Sequence, residues 1–211
     1  MLSLPRDNFR SFPALAAFFL TVIIGLGIDL WTKNEAFARL AKLDRGARVV
    51  DSDVYHFLPG WLEFTVTTNQ GAVFGIGAGR RLFFISVSIA AVLFLIYLFA
   101  ISGRQRLYQI ILGMLLAGVL GNLFDRIVFG YVRDMIHAVP GVHWPGSWTV
   151  PFTDYPGPSR ALFPWIFNVA DILLCTGVAL MIIYSLLHSG REPQNISEPA
   201  AKPQTNTDAR R

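Results

Sequence analysis

Carboxylates are the groups through which this chain could do chemistry, and they sit where carboxylates are costly. One cluster reads Gly121-Asn122-Leu123-Phe124-Asp125-Arg126 and runs on to Gly130-Tyr131-Val132-Arg133-Asp134; a second reads Phe167-Asn168-Val169-Ala170-Asp171. Both lie at the edges of long apolar segments. A membrane protein that keeps ionisable groups in or beside a bilayer generally uses them. Two carboxylates brought together can share one proton and activate a water, which is aspartic-protease chemistry.

The spacings sort these residues onto faces. Gly118, Gly121, Asn122, Asp125 and Arg126 recur at intervals of three or four and share one helix face. Small residues at that spacing let a second helix come close, so a packing stripe with a local Asp125–Arg126 pair competes with a functional reading. Asn168 and Asp171 are three apart and also share a face. A helix beginning at Trp165 would carry Asp171 about 9 Å inward, where it needs a partner, a water or a proton. A single buried polar contact between helices is the alternative. Asp29 and Lys33 are four apart with the acid first, the favourable order for a helical ion pair. A structural pair fits them as well as a catalytic one.

Other chemistries find little support. There is no His-Glu-x-x-His, and His56, His137, His143 and His188 are dispersed. No Gly-x-Ser-x-Gly elbow occurs, and Lys33 has no neighbouring serine for a Ser/Lys dyad. The net charge of +4 is scattered, unlike a nucleic-acid footprint.

The elements that must position these groups are membrane helices. Of 211 residues, 53% are hydrophobic, too many for an ordinary soluble domain. Four stretches run without charge or nearly so: Phe12 to Ile28, Leu82 to Ser102, Leu107 to Phe124, and Ala161 to Leu187, the last interrupted only by Asp171. A helix needs about 20 mostly apolar residues to span the hydrocarbon core. Residues 1–190 therefore read as one membrane domain with spans near 12–30, 82–102, 107–128 and 164–188. Residues 31–81 and 129–163 read as external segments, and the polar stretch 191–211 as a disordered cytoplasmic tail. Arg104 and Arg106 in the short second turn, with Arg6, Arg10 and Arg191, place both termini in the cytoplasm. Ala36-Phe37-Ala38 has the form of a signal-cleavage site but falls beyond the apolar run.

Within the first external segment, Trp61 to Thr67 alternates apolar and polar residues and predicts a strand. The fold class expected is a mainly α membrane protein, four transmembrane helices with a small extracytoplasmic β-rich platform. The second external segment carries Pro140, Trp144, Pro145, Trp148 and Pro151, which fit a membrane-resting lid. Cys175, the lone cysteine, has no internal disulfide partner.

Taken together, four motifs resemble those of lipoprotein signal peptidase (signal peptidase II), in order along residues 10 to 190. They are Asp29-Leu30-Trp31-Thr32-Lys33, Asn69-Gln70-Gly71-Ala72-Val73-Phe74, Gly121-Asn122-Leu123-Phe124-Asp125-Arg126 with Val132-Arg133-Asp134, and Phe167-Asn168-Val169-Ala170-Asp171. The resemblance implies an aspartic endopeptidase of bacterial inner membranes, needing no metal or organic cofactor. Such enzymes cut prolipoproteins just before a diacylglyceryl-modified cysteine. Carried over, the dyad is Asp134 and Asp171, where spacing alone favours the deeper Asp125. Asn69, Gly71, Asn122, Arg126 and Asn168 become substrate-binding candidates, with Asp29, Lys33 and Asp125 as support. Prolipoprotein and membrane lipid are the partners, nucleic acid is not, and the enzyme is expected to be a monomer. Two departures stand out: 36 residues separate Asp134 from Asp171, longer than the family pattern, and Val73 stands where a second alanine is common. The competing readings are a proton-coupled transporter, disfavoured by the lack of repeated halves, and a non-catalytic assembly factor with polar helix glue.

Overall fold

The computed structural model describes residues 11–44, 49–71, 80–102, 105–146 and 161–188. Four helices in it are long and apolar enough to cross a membrane: α1 (Phe12–Leu40), α2 (Arg81–Ile101), α3 (Arg106–Val128) and α4 (Val169–His188). Two small sheets accompany them. β1 (Ala41–Leu43) and β2 (Val49–Ser52) form a hairpin; β3 (Tyr55–Leu58), β4 (Leu62–Asn69), β5 (Val132–Ala138) and β6 (Ile166–Phe167) form an antiparallel sheet in that order.

α3 is the central post. It is the most buried of the four and packs on all the others. Its glycines set how close they come. A Cβ on Gly118 would meet the Ala170 carbonyl oxygen at 2.6 Å, and one on Gly121 would collide with the Asp29 carboxylate. The start of α4 and the middle of α1 therefore rest against bare α3 backbone. Toward the end away from the sheet the packing is apolar: Phe18 stacks on Phe99 at 4.2 Å beside Leu112, Leu115 and Leu116. The outward faces of α2 and α4 are exposed Leu, Ile, Val and Phe, which suits lipid.

Gly130, at φ +87°, ends α3 and turns the chain into β5. Arg81, from the first turn of α2, reaches across and donates Nε to the Arg126 carbonyl (2.7 Å) and Nη2 to that of Ile127 (2.8 Å). These are orphan carbonyls of a helix end, so α2 and α3 are pinned there. β4 and β5 pair antiparallel, Phe64 opposite Ile136 and Thr67 opposite Asp134, with a one-residue register shift between the two pairs. Met135 and Val66 pack toward Ala36, Phe37 and Leu40, joining the sheet to the end of α1.

Two boundaries differ from the sequence reading. α1 continues ten residues past the expected limit near 30, because Trp31 to Leu40 contains no glycine or proline to stop it. The polar residues there mark a helix leaving the apolar layer, not a loop. α4 begins at Val169 instead of 164, since Ile166–Phe167 is taken up as an edge strand and Asn168 caps the helix. Asp171 thus lies in the first turn of α4, not about 9 Å down a helix. The strand expected over 61–67 is found over Leu62–Asn69. Val73, Arg104, Trp148 and the 191–211 tail lie outside the described residues.

Candidate active site

Asn168 and Asp171 build the start of α4 between them. The Asn168 side-chain oxygen accepts from the Asp171 backbone N–H (3.1 Å), and the Asp171 Oδ2 accepts from the Asn168 backbone N–H (3.1 Å). This reciprocal pair is a capping box, which satisfies two amides that the helix leaves open. It also aims the rest of the Asn168 amide. With its oxygen committed to a backbone donor, its nitrogen must face acceptors, and it donates to Asp134 Oδ1 at 2.6 Å and Asn122 Oδ1 at 3.2 Å. One residue thereby joins Asp134 of β5 to Asp171 of α4.

Asp134 is 2% exposed. Burial, and next the charge of Asp171, push its carboxyl up to about 8; hydrogen bonds from Asn168 and Asn69 and the charge of Lys33 oppose the rise. Asp171 is only half-buried, and its Oδ1 accepts from Asn122 Nδ2 at 2.9 Å.

Behind the two carboxylates lies a compact buried charge network. Lys33 approaches Asp29 at 2.8 Å and Asp125 at 3.3 Å, and donates to Asn122 Oδ1 at 3.1 Å. Asp29 also accepts from the Ala170 backbone N–H at 2.8 Å, tying α1 to the first turn of α4. Asp125 receives three bonds from Arg133, through the backbone N–H, Nε and Nη2, at 2.9 to 3.1 Å. Arg133 Nη1 donates to Asn34 at 2.6 Å, and its guanidinium lies 4.2 Å from the Phe129 ring. Two anions and two cations thus neutralise each other, as buried charge requires.

Arg126 is set apart from this network. Its Nη2 donates to the Gly71 carbonyl at 3.0 Å, its Nη1 lies 3.5 Å from the Asn122 carbonyl, and it stands over the Phe84 ring. Asn69 ends β4, and its side-chain oxygen accepts from the Gly71 N–H at 2.9 Å. Asn69, Gly71, Asn122, Arg126, Asn168, Asp134 and Asp171 therefore form one connected polar network, with Asp29, Lys33 and Asp125 behind it.

The competing reading of a local Asp125–Arg126 pair is not found: Asp125 pairs with Lys33 and Arg133. Consecutive helical residues point apart, whereas Arg133 arrives from a strand. Arg133 and Asn34 carried no assigned role in the sequence. The signal for Arg133 was strand alternation, which turns it to the face opposite its neighbour Asp134. Among the described residues, no three His, Cys, Asp or Glu side chains are arranged to hold a metal ion.

Four membrane-length helices, with a sheet and paired carboxylates at one end, define a polytopic membrane enzyme. The chain belongs to the signal peptidase II family, whose model, described as "Signal peptidase (SPase) II", matches residues 21–187. A lipoprotein signal peptidase of Clostridium tetani is 29% identical over 180 residues, covering 84% of this chain and 97% of that protein. The one of Rhodopirellula baltica is 33% identical over 181 residues, covering 83% and 74%. A bacterial membrane enzyme structure solved by the in meso method at 2.3 Å resolution superposes with a TM-score of 0.63 at 28% identity, covering 86% of this chain and 95% of the other. Family membership makes the chain a protease and gives no support to the transporter reading.

Proposed function

We propose that Asp134 and Asp171 are the dyad with which this peptidase removes signal peptides from prolipoproteins. The substrate class comes from the family and from relatives named lipoprotein signal peptidase. The observation that carries the dyad is the Asn168 bridge, which touches both carboxylates at hydrogen-bond distance. One ionised carboxylate accepts a proton from water, and the other, protonated, donates to the carbonyl oxygen of the scissile bond. The cut falls before a cysteine carrying diacylglyceryl, whose acyl chains stay in the bilayer. Asn69, Gly71, Asn122, Arg126 and Asn168 hold substrate backbone around the bond. On this reading residues 1–190 are one peptidase unit acting as a monomer in the bacterial inner membrane, with both termini cytoplasmic and the sheet external.

The test is cleavage of a purified diacylglyceryl-modified prolipoprotein by the reconstituted enzyme. Wild type releases the signal peptide, and Asp134→Asn and Asp171→Asn do not. Wild-type rates in either variant overturn the dyad. Orientation is read separately, by labelling single cysteines at positions 69 and 104 in a Cys175→Ser background with an impermeant reagent. Labelling at 104 but not 69 in intact cells reverses the topology.

A further inference from the structure

We infer that the two carboxylates have fixed and different duties: Asp171 is the base that takes the proton of water, and Asp134 is the acid that donates to the carbonyl oxygen. The inference rests on the dyad reading above and assigns roles within it.

The orientation of the amides between the two carboxylates follows from donors that cannot turn round. The Asp171 backbone N–H can only donate, so the Asn168 side chain presents its oxygen there and its nitrogen elsewhere. That nitrogen donates to Asn122 Oδ1, and so does Lys33 Nζ, an ammonium without acceptor capacity. Two donors on one oxygen fix the Asn122 amide, leaving its own nitrogen against Asp171 Oδ1. Flipping Asn122 would set NH2 against NH2 and ammonium, and oxygen against a carboxylate. Both Asp171 oxygens are therefore held by donors, one backbone and one side chain, each favouring the anion.

Asp134 also accepts from Asn168 and Asn69, so donors hold both carboxylates and it is their environments that separate the pair. Asp171 stands in the first turn of α4, where the helix dipole favours negative charge, and it is partly open to solvent. Asp134 is nearly sealed, on a strand whose neighbours offer no such dipole. The charges around them are Lys33 and Asp29 from α1, Asp125 and Arg126 from α3, and Arg133 beside Asp134 on β5. Asp29 and Asp125 are compensated by Lys33 and Arg133. Arg126 remains, and its attraction to Asp171 exceeds that to Asp134. The raised titration of Asp134 agrees.

The cycle closes without a co-reactant. Asp171 removes a proton from water as the oxygen attacks the carbonyl carbon, and Asp134 delivers its proton to the carbonyl oxygen, giving a neutral diol. Asp171 then passes its proton to the departing amide nitrogen while Asp134 recovers one from a diol hydroxyl. The C–N bond breaks, and both carboxyls return to their starting states. Lys33 touches no substrate in this scheme and is a positioning residue, and Asn122, besides its place beside the substrate, positions Asp171 through its amide nitrogen.

The test is infrared spectroscopy of the full-length enzyme in nanodiscs, following the protonated-carboxyl stretch in mildly acidic buffer. Wild type and Asp171→Asn show the band and Asp134→Asn lacks it. In Asp171→Asn the band bleaches at lower pH than in wild type, because the anion that opposed ionisation of Asp134 has gone. A band that survives Asp134→Asn, or is absent from Asp171→Asn at every pH, overturns the assignment. Cleavage by the same proteins separates the two claims. If either variant still cleaves at the wild-type rate, the dyad itself fails; if neither cleaves but the band follows Asp171, only the division of duties fails. Asn122→Leu, which keeps bulk and removes the donor, moves the acidic limb of the kcat/KM–pH profile upward. An unmoved limb overturns the part given to Asn122 and Lys33, and a merely structural role leaves it unmoved.

Discussion

The two ends of the helix bundle are held by different forces. Of the nine polar or charged side chains buried among the described residues, all but Ser102 and Gln109 lie at the sheet-bearing end. The other end is Phe18 on Phe99 with leucines and isoleucine around them. Lipid is as apolar as leucine, so that end gains from close packing but little from burial itself. Packing of this kind tolerates exchange among residues of similar volume. The polar end tolerates less, because Lys33, Arg133 and Asn168 each donate to specific acceptors and Asp29 and Asp125 each face a cation. The apolar end makes a bundle; the polar end decides which bundle, and holds two carboxylates in one orientation.

Substitutions at the polar end test this most severely. Asp134→Asn and Asp171→Asn are expected to lower single-turnover cleavage by at least ~100-fold, the scale of a lost general acid or base. Both proteins should still purify in folded form. Next comes Lys33→Met, which leaves Asp29 and Asp125 facing each other without their shared cation. Removing one partner of a buried ion pair costs about 3–5 kcal/mol, and thermal unfolding in detergent should show a loss of that size. An unchanged melting temperature would show that the network is not what holds this end together.

At the apolar end, Phe99→Ala should cost less than the ~3–5 kcal/mol of such a change in a water-soluble core, since lipid can line the cavity. Cleavage by the folded variant should stay at the wild-type rate. A catalytic defect there would mean that the two ends are coupled through α3.

The comparison is sharpened by pH dependence. Asp134 titrates higher in the folded protein than an ordinary carboxyl, up to about 8. The native state therefore holds more protons than the unfolded one across that interval. Stability is greatest below the ordinary carboxylate range and declines as pH rises through about 8. Thermal unfolding of wild type followed from acid to alkaline pH should show the decline, and Asp134→Asn should flatten it. Equal slopes would place the proton elsewhere.

The same contrast governs what the sequence made legible. Four apolar stretches announced the spans, because lipid selects composition and composition is visible. Motif order pointed to Asp134 and Asp171 where helical spacing favoured Asp125. The structure puts Asp125 against Arg133 and Lys33, in a carboxylate–cation cluster one layer below. What stayed hidden depends on partners distant in sequence. Arg133 and Asn34 are 99 residues apart, and neither predicts the other. The start of α4 was misplaced because Pro164-Trp165 looks like a helix entrance, while the true cap, Asn168, also serves the site. The end of α1 was misplaced because polarity was read as loop, although the helix simply outlasts the apolar layer.

That overrun of α1 has its own consequence. Trp31, 64% exposed, closes the lipid-facing series Ile24, Ile28 and Trp31, and tryptophan settles at the headgroup level. Leu40 lies nine residues further on, about 14 Å along a continuous helix. The sheet that carries Asp134 is joined to that stalk through Phe37 and Leu40, so its height above the lipid is set as on a surveyor's staff. One residue inserted between Trp31 and Leu40 would lift the sheet by about 1.5 Å and swing it by about 100°. On the proposed dyad, the depth at which a peptide bond is cut would be graduated in helical residues, and the substrate would bring its bond to that mark.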